Sequence, residues 1–114
     1  MKLAIVGSRS FFDYQLLVET LQDLDISEIV SGGARGADTL AEKYAKEKGI
    51  PVKIFKPDWD GLGKAAGFIR NKSIIDYADK VIAFWDGQSH GTQHSMNLAL
   101  KQDKLMLVKN FTLL

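Results

Sequence analysis

Apolar and polar positions change along this chain in blocks rather than residue by residue. Lys2 to Val6 is a short apolar run that stops at Gly7. An unbroken run of that kind is what a strand covered on both faces requires. Asp13 can cap the next segment, where Leu17, Leu21 and Leu24 recur at helical spacing and form one apolar stripe. Ser27 to Ser31 predicts a second strand. Ala37 to Lys48 predicts a helix with Leu40, Tyr44 and Ala45 inward, and Gly49 supplies its stop. Pro51 to Phe55 predicts a third strand, and the stretch 57–67 a loop by its Pro, Gly and Asp content. A third helix is expected over Ile69 to Ala78, or from a few residues earlier, then a fourth strand over Asp79 to Trp85 and a second small-residue loop over 86–92. Ser95 to Lys101 continues a fourth helix, and Leu105 to Val108 is a fifth strand before a tail ending at Leu114.

Strands that alternate with helices of ~10–15 residues imply right-handed crossovers and a parallel sheet with helices on both faces. The expectation is an α/β chain: a single Rossmann-like three-layer domain over 1–114, with about five parallel strands in the order 3-2-1-4-5. No repeat, low-complexity segment or linker divides it. Every unusual loop follows a strand and precedes a helix, so residues 7–9, 31–38, 57–67 and 86–92 gather along one rim. Open α/β sheets bind ligands at that rim, near the switch point in strand order.

Composition narrows the chemistry. With 15 basic and 14 acidic residues the formal net charge is +1, which argues against a general nucleic-acid binder but leaves room for a local basic pocket. There is no cysteine, hence no disulfide, thiolate metal site or cysteine nucleophile. Two histidines, His90 and His94, are too few for a histidine metal site without carboxylates, and each reads as a surface residue. No apolar run approaches the ~20 residues that span a bilayer, and the first strand is too short for a secretory signal. The expected location is cytoplasmic, with no membrane partner, no metal and no required cofactor.

The rim loops carry the candidate residues. In Ser31-Gly32-Gly33-Ala34-Arg35-Gly36-Ala37-Asp38 the glycines permit positive φ and leave backbone N–H groups uncovered, and a helix starts directly after. Its free N–H groups and positive dipole end favour an anion such as phosphate. Ser31 stands where a dinucleotide fingerprint has its first glycine. Lys53 and Lys56 stand near where that fingerprint wants an acid, which argues against a conventional NAD site. Gly63-Lys64 is followed by Ala65, so there is no P-loop. Gly7, Ser8 and Arg9 follow the first strand, and Arg9 can fork onto a phosphate or carboxylate. Asp38 is either an acid that orders the loop at a helix start or a ribose acceptor. Trp59 is placed to stack on a base, with Lys64, Arg70 and Asn71 on the same loop and the helix after it. Trp85 is core or pocket wall. Asp86 can accept from a ribose or from Arg70, and Gly87, Ser89, Gly91 and Thr92 form a second phosphate-type turn in which Thr92 caps the helix or holds the anion. Phe11, Phe12 and the tail 111–114 either pack on the chain's own core or form a homo-oligomer interface, a dimer or larger.

Gly7-Ser8-Arg9, the 31–38 string, Ile69-Arg70-Asn71 and Asp86-Gly87-x-Ser89-x-Gly91-Thr92, in this order and spacing, resemble the SLOG superfamily over nearly the whole chain, and in particular its small stand-alone Rossmann-like proteins of bacteria and phages. That superfamily includes the lonely-guy type phosphoribohydrolases, the DNA-processing protein that loads recombinase, and sensor domains for nucleotide-derived signals. The resemblance implies that Arg70 matches the arginine of the hydrolases. Gly91-Thr92-Gln93-His94-Ser95 matches their GTxxE motif except that Ser95 replaces the glutamate. Without that carboxylate, N-glycosidic cleavage lacks its main acid/base group. Arg70, Asp86 and Asp38 are the remaining catalytic candidates. The expected activity is therefore binding, with no turnover or only weak turnover. The ligand is a nucleoside phosphate, an ADP-ribose derivative or a cyclic nucleotide signal, held by backbone N–H groups of 32–36 and 91–92 with Arg9, Arg35 and Arg70 supplying charge, in a protein that senses or sequesters it. Alternatives are a nucleoside 5′-monophosphate N-glycosidase or related transferase, and a DNA-processing-type scaffold; nucleic acid is not the expected partner.

Overall fold

The first apolar run becomes a central strand because both of its faces find partners. In the computed structural model, which describes residues 1–111 but not the side chain of Lys64, β1 spans Lys2–Gly7. It is followed by α1 (Tyr14–Leu21), β2 (Glu28–Ser31), α2 (Ala37–Lys48), β3 (Val52–Ile54), α3 (Trp59–Leu62), a 3₁₀ turn (Gly63–Ala65), α4 (Ala66–Tyr77), β4 (Lys80–Trp85), α5 (His90–Lys101) and β5 (Leu105–Asn110). All four strand pairings are parallel and the order is β3-β2-β1-β4-β5, as the alternation predicts.

Strand periodicity of two sorts the core into two layers. Leu3 and Ile5 of β1, with Ile82 and Phe84 of β4, point to the face covered by α1 and α2 and meet Leu17, Leu21, Ala41 and Tyr44. Ala4 and Val6, with Val81 and Ala83, point to the opposite face, covered by Ile74 and Ile75 of α4 and Ala99 of α5. Phe11 is buried in the first layer, stacked on Phe84 at 4.6 Å between centroids and met edge-on by Phe111 at 5.0 Å. Those two aromatics therefore pack on the chain's own core; Phe12 is 76% exposed, and 112–114 lie outside the described residues.

The helix ends follow their signals in part. Asp13 caps α1 by accepting from the Leu16 N–H at 3.1 Å, and Gly49 ends α2 in the left-handed conformation. Residues 57–67, expected as open loop, contain a one-turn helix because Asp58 accepts from the Gly61 N–H at 3.0 Å. Helix α5 begins at His90, just before the start expected around Gly91 and Thr92, because Ser89 caps it. Thr92 is thus inside the first turn and is not the cap.

The chain leaves β1 toward β2 and β3 on one side, and returns to β4 and β5 on the other. The switch point lies between β1 and β4. There the Ser8 N–H donates to the Phe84 carbonyl at 3.0 Å, and the Asp86 N–H donates to Ser8 Oγ at 3.2 Å. The loops after β1 and β4 are locked side by side.

Candidate functional site

A cavity of about 420 Å³ opens at this switch point. Ser8, Arg9 and Ser10 come from the loop after β1, Ala34 and Asp38 from the loop and helix after β2, Arg70 and Asn71 from α4, and Asp86, Ser89, Gly91, Thr92 and Ser95 from the loop after β4 and from α5. Among the described residues six polar side chains are buried, Ser8, Ser31, Asp38, Asn71, Thr92 and Ser95, and all but Ser31 line this cavity. Burying polar groups is costly unless they are hydrogen-bonded, so such concentration marks a built polar site. Ser8 is used by Asp86, and Thr92 Oγ1 lies 3.1 Å from Ser89 Oγ. Ser95 is 3% exposed and has no side-chain hydrogen bond among the described residues.

The glycine loop after β2 owes its shape to packing. Gly36 has φ of +77°, and a Cβ there would meet the Ser8 carbonyl oxygen at 2.4 Å. Only glycine lets this loop press on the loop after β1. Three of the seven amides expected to reach an anion, those of Gly33, Ala34 and Thr92, are engaged by the protein itself. Gly33 N–H donates to Ser31 Oγ at 3.2 Å and Ala34 N–H to Asp38 Oδ2 at 3.1 Å. In the second turn, Asp86 Oδ1 accepts from the Gln88 and Ser89 N–H groups at 2.9 and 2.8 Å, and Ser89 Oγ accepts from the Thr92 N–H at 3.4 Å. The expectation that residues 32–36 and 91–92 present a row of open amides is corrected at three positions only. The protein's own carboxylates and hydroxyls occupy those at 33, 34 and 92. The N–H groups of His90 and Gly91, in the first turn of α5, have no partner among the described residues.

Asp38 and Asp86 are held in opposite ways. Burial pushes Asp38 up to about 6, against the pull of the Ala34 N–H and of Arg70. The N–H groups of Gln88 and Ser89 hold Asp86 below the ordinary carboxylate range. Asp86 does not pair with Arg70. The Arg70 guanidinium is half-buried, donating from Nη1 to the Gly32 carbonyl at 2.8 Å and from Nε to Asn71 Oδ1 at 3.1 Å. Burial lowers its pKa.

Beyond Arg70 lies a second compartment of about 480 Å³, lined by Gly32, Gly33, Arg35, Lys56, Pro57 and Trp59, and sharing Arg9, Ala34 and Arg70 with the first. Trp59 is 53% exposed, as a stacking surface would be. Among the described residues no acid lines this outer compartment, and Arg9, Arg35, Lys56 and Arg70 are in no ion pair. Each compartment falls in the range of about 300–1,000 Å³ typical of small-molecule sites.

The structure brings most of the sequence candidates to this cleft: Gly7, Ser8, Arg9, Ala34, Asp38, Arg70, Asn71, Asp86, Ser89, Gly91 and Thr92 around the inner cavity, and Gly32, Gly33, Arg35 and Trp59 around the outer one. Ser31 stands behind the wall, donating to Glu42 at 2.8 Å. Gly36 and Gly87 line neither compartment and serve the turns, with φ of +77° and +84°. Lys64, as a side chain, lies outside the described residues. Trp85 donates from Nε1 to the Ser89 carbonyl at 3.1 Å and braces the loop. His90 is exposed and His94 is partly buried, packing edge-on to the exposed Phe68 at 4.7 Å, with Nδ1 3.3 Å from Asn71 Nδ2. Among the described residues no group of three or more His, Cys, Asp and Glu is placed to hold a metal ion, and no helix is long and apolar enough to cross a membrane. Sequence reasoning missed Lys56 and Ser95 as site residues. Lys56 follows β3 and so lies on the rim, which was the available signal.

A doubly wound parallel sheet of this order, with a polar cleft at its switch point, defines the Rossmann-like α/β class. The model of the YspA, cpYpsA-related SLOG family matches residues 1–61. The chain is also 37% identical over 111 residues to the Gene 61 protein of Mycobacterium phage D29, covering 88% of this chain and 89% of that one. The chain belongs to the YspA, cpYpsA-related SLOG family. Among solved structures it is similar to DNA processing protein A of Streptococcus pneumoniae, with a TM-score of 0.80 and 21% identity over 98% of this chain. It is also similar to DNA processing protein A of Helicobacter pylori, with a TM-score of 0.76 and 25% identity over 97% of this chain. It spans 51% and 66% of those two proteins. The Helicobacter protein has a single-stranded DNA binding mode. That finding overturns the expectation, drawn from near-neutral charge, that nucleic acid is an unlikely partner. Net charge averages over the surface, whereas here four cations converge on one rim.

Proposed function

We propose that the rim cleft binds a nucleotide-type phosphate ligand, such as a nucleoside phosphate, an ADP-ribose derivative or a cyclic nucleotide signal, and that the protein senses or sequesters it without cleaving it. The observation that carries this reading is the convergence of five buried polar side chains on one cavity flanked by arginines that have no ion-pair partner among the described residues. Hydroxyls and carboxylates suit a sugar, guanidinium groups suit phosphate, and exposed Trp59 suits a base. Ser95, where a hydrolase has glutamate, offers no carboxylate, and Asp38 is committed to ordering its loop. Isothermal titration with a nucleotide panel tests this. Binding tighter than the millimolar range, weakened at least tenfold in Arg70→Ala with no base released, supports it; no binding by the wild-type protein refutes it.

A second reading has its own support. The outer compartment, with Arg35, Lys56 and Trp59, has the cation-plus-aromatic character used for single strands, and a neighbour of the same fold binds single-stranded DNA. In this reading the cleft holds one nucleotide unit of a strand. Oligothymidylate binding that strengthens with length and falls steeply with salt would favour it over a free nucleotide.

A further inference from the structure

His94 stands at the end of a hydrogen-bonded chain that reaches the Arg70 guanidinium, and the role of each atom along that chain is fixed. Asn71 is buried between α4 and α5. Its Oδ1 faces Arg70 Nε at 3.1 Å, and its Nδ2 faces the Gly91 carbonyl at 3.4 Å and His94 Nδ1 at 3.3 Å. Arginine Nε only donates and a carbonyl oxygen only accepts, so these two neighbours decide which way the amide points. The Asn71 amide nitrogen therefore donates toward His94, whose Nδ1 must accept. The neutral ring then carries its proton on Nε2. A proton added to Nδ1 would set one N–H against another. Turning the amide over would give His94 an acceptor, but would set N–H against Arg70 Nε and oxygen against the Gly91 carbonyl. Either arrangement leaves a buried polar group facing its like, which is costly.

We propose that neutral His94 is a positioning residue: through Asn71 it holds Arg70 in place in the cleft, and a proton on His94 loosens that hold and weakens ligand binding. This rests on the nucleotide reading above only in taking Arg70 as a ligand contact; the chain from His94 to Arg70 belongs to the free protein. Arg70 lines both compartments, whereas His94 lines neither and sits in a groove between α4 and α5 with Phe68, Ile69 and Leu98, so its action on a ligand is indirect. Among the described residues, the charged groups facing it are Lys72 and Asp76 of α4, paired with each other at 2.6 Å, and Lys101 of its own helix. The sheet layer on which both helices pack presents Val6, Ala83 and Val108, which carry no charge. Burial, with Lys101 adding to it, lowers the pKa of His94, so the ring is neutral at pH 7.

The test follows His94, Asn71 and Arg70 by nitrogen–proton NMR of the isotope-labelled wild-type protein across the range in which histidine titrates, about pH 5 to 8. Spectra are taken free and with ADP-ribose or cyclic AMP, two probes whose charge is constant over that range. In the free protein, neutral His94 is expected to be the Nε2–H tautomer, and the Asn71 side-chain amide and Arg70 Nε–H signals are expected to move with its titration. A neutral ring protonated on Nδ1, or Asn71 and Arg70 signals that ignore His94, overturns the proposal. With a probe bound, the His94 midpoint is expected to fall, because probe and proton favour opposite arrangements of the chain. Direct attraction between an anionic probe and a charged ring would raise it, and a rise or no change overturns the proposal. Two variants add an affinity readout. His94→Asn places an oxygen acceptor near the position of Nδ1 without a titrating group, and is expected to match wild type at about pH 8. His94→Phe keeps a ring against Phe68 and removes the acceptor, and is expected to lose about three- to tenfold there. Asp38 titrates at about 6 in all three proteins, so the difference between wild type and His94→Asn isolates the histidine, and it is expected to grow in favour of the variant as pH falls. Equal affinities throughout overturn the proposal. If neither probe binds, the nucleotide reading falls, and the free-protein spectra alone decide whether His94 positions Arg70.

Discussion

Asp38 is the residue whose behaviour is most open to measurement. Its folded-state pKa of about 6 lies above its ordinary value of 3.8, so the fold favours the neutral acid. Stability from this group is full below about pH 4 and is lost as pH rises through about 6. A tenfold change in a protonation constant is worth roughly 1.4 kcal/mol. Chemical denaturation of Asp38→Asn should show the variant gaining on wild type by about 1–3 kcal/mol between pH 4 and 7; a constant difference across that window contradicts the assignment. Asp38 was legible from sequence as an acid at a helix start, and its loop-ordering role is what the structure shows. The engaged amides were not legible. Glycine content signals that N–H groups are uncovered, but which carboxylate covers them depends on side chains brought in by folding: Asp38 for Ala34, Asp86 for Gln88 and Ser89. Ser95 shows in the sequence only as a missing glutamate, because a lone serine in a helix has no signature of its own.

At the scale of elements, two contacts hold the cleft open. Gly36 lets the loop after β2 approach the loop after β1. Gly36→Ala adds a Cβ at positive φ against a backbone oxygen and should cost about 2–4 kcal/mol, a fall in Tm on the order of 10 °C. A Tm within 2 °C of wild type would show that the loops are not pinned there. Asn71 joins α4 to α5 by accepting from Arg70 and donating to the Gly91 carbonyl at 3.4 Å. Asn71→Ala should cost about 1–3 kcal/mol in urea denaturation and weaken ligand affinity along with it, because Arg70 loses its brace. Unchanged affinity would mean Arg70 is positioned by Gly32 alone. Strand existence and order were readable because apolar runs, glycine stops and helical stripes agreed at every step. The cap of α5 was not, since both Ser89 and Thr92 are capping residue types and only the fold shows that Ser89 takes the role.

For the molecule as a whole, strand order does the work of bringing distant loops together. The chain reverses direction across the sheet between β1 and β4, so residues 8–10 and 86–95 meet although nearly eighty positions apart, and α2 and α4 close the sides. The same convergence explains why net charge misled: +1 over the chain coexists with four cations at one compartment. A ligand held there stabilises the folded state by mass action, about 2.7 kcal/mol at a hundredfold excess over Kd. A saturating nucleotide should therefore raise Tm by several degrees, less at 0.5 M salt than at 0.05 M because the cations are exposed to screening. A shift indifferent to salt would argue against a phosphate contact.

The cleft itself is tested most directly by amide chemical-shift mapping of the isotope-labelled protein during titration with the nucleotide that raises Tm most. Perturbations are predicted to cluster at residues 8–10, 32–38, 70–71 and 86–95, leaving the opposite edge of the sheet unmoved. Saturable shifts centred elsewhere, or none at millimolar ligand, would contradict the account.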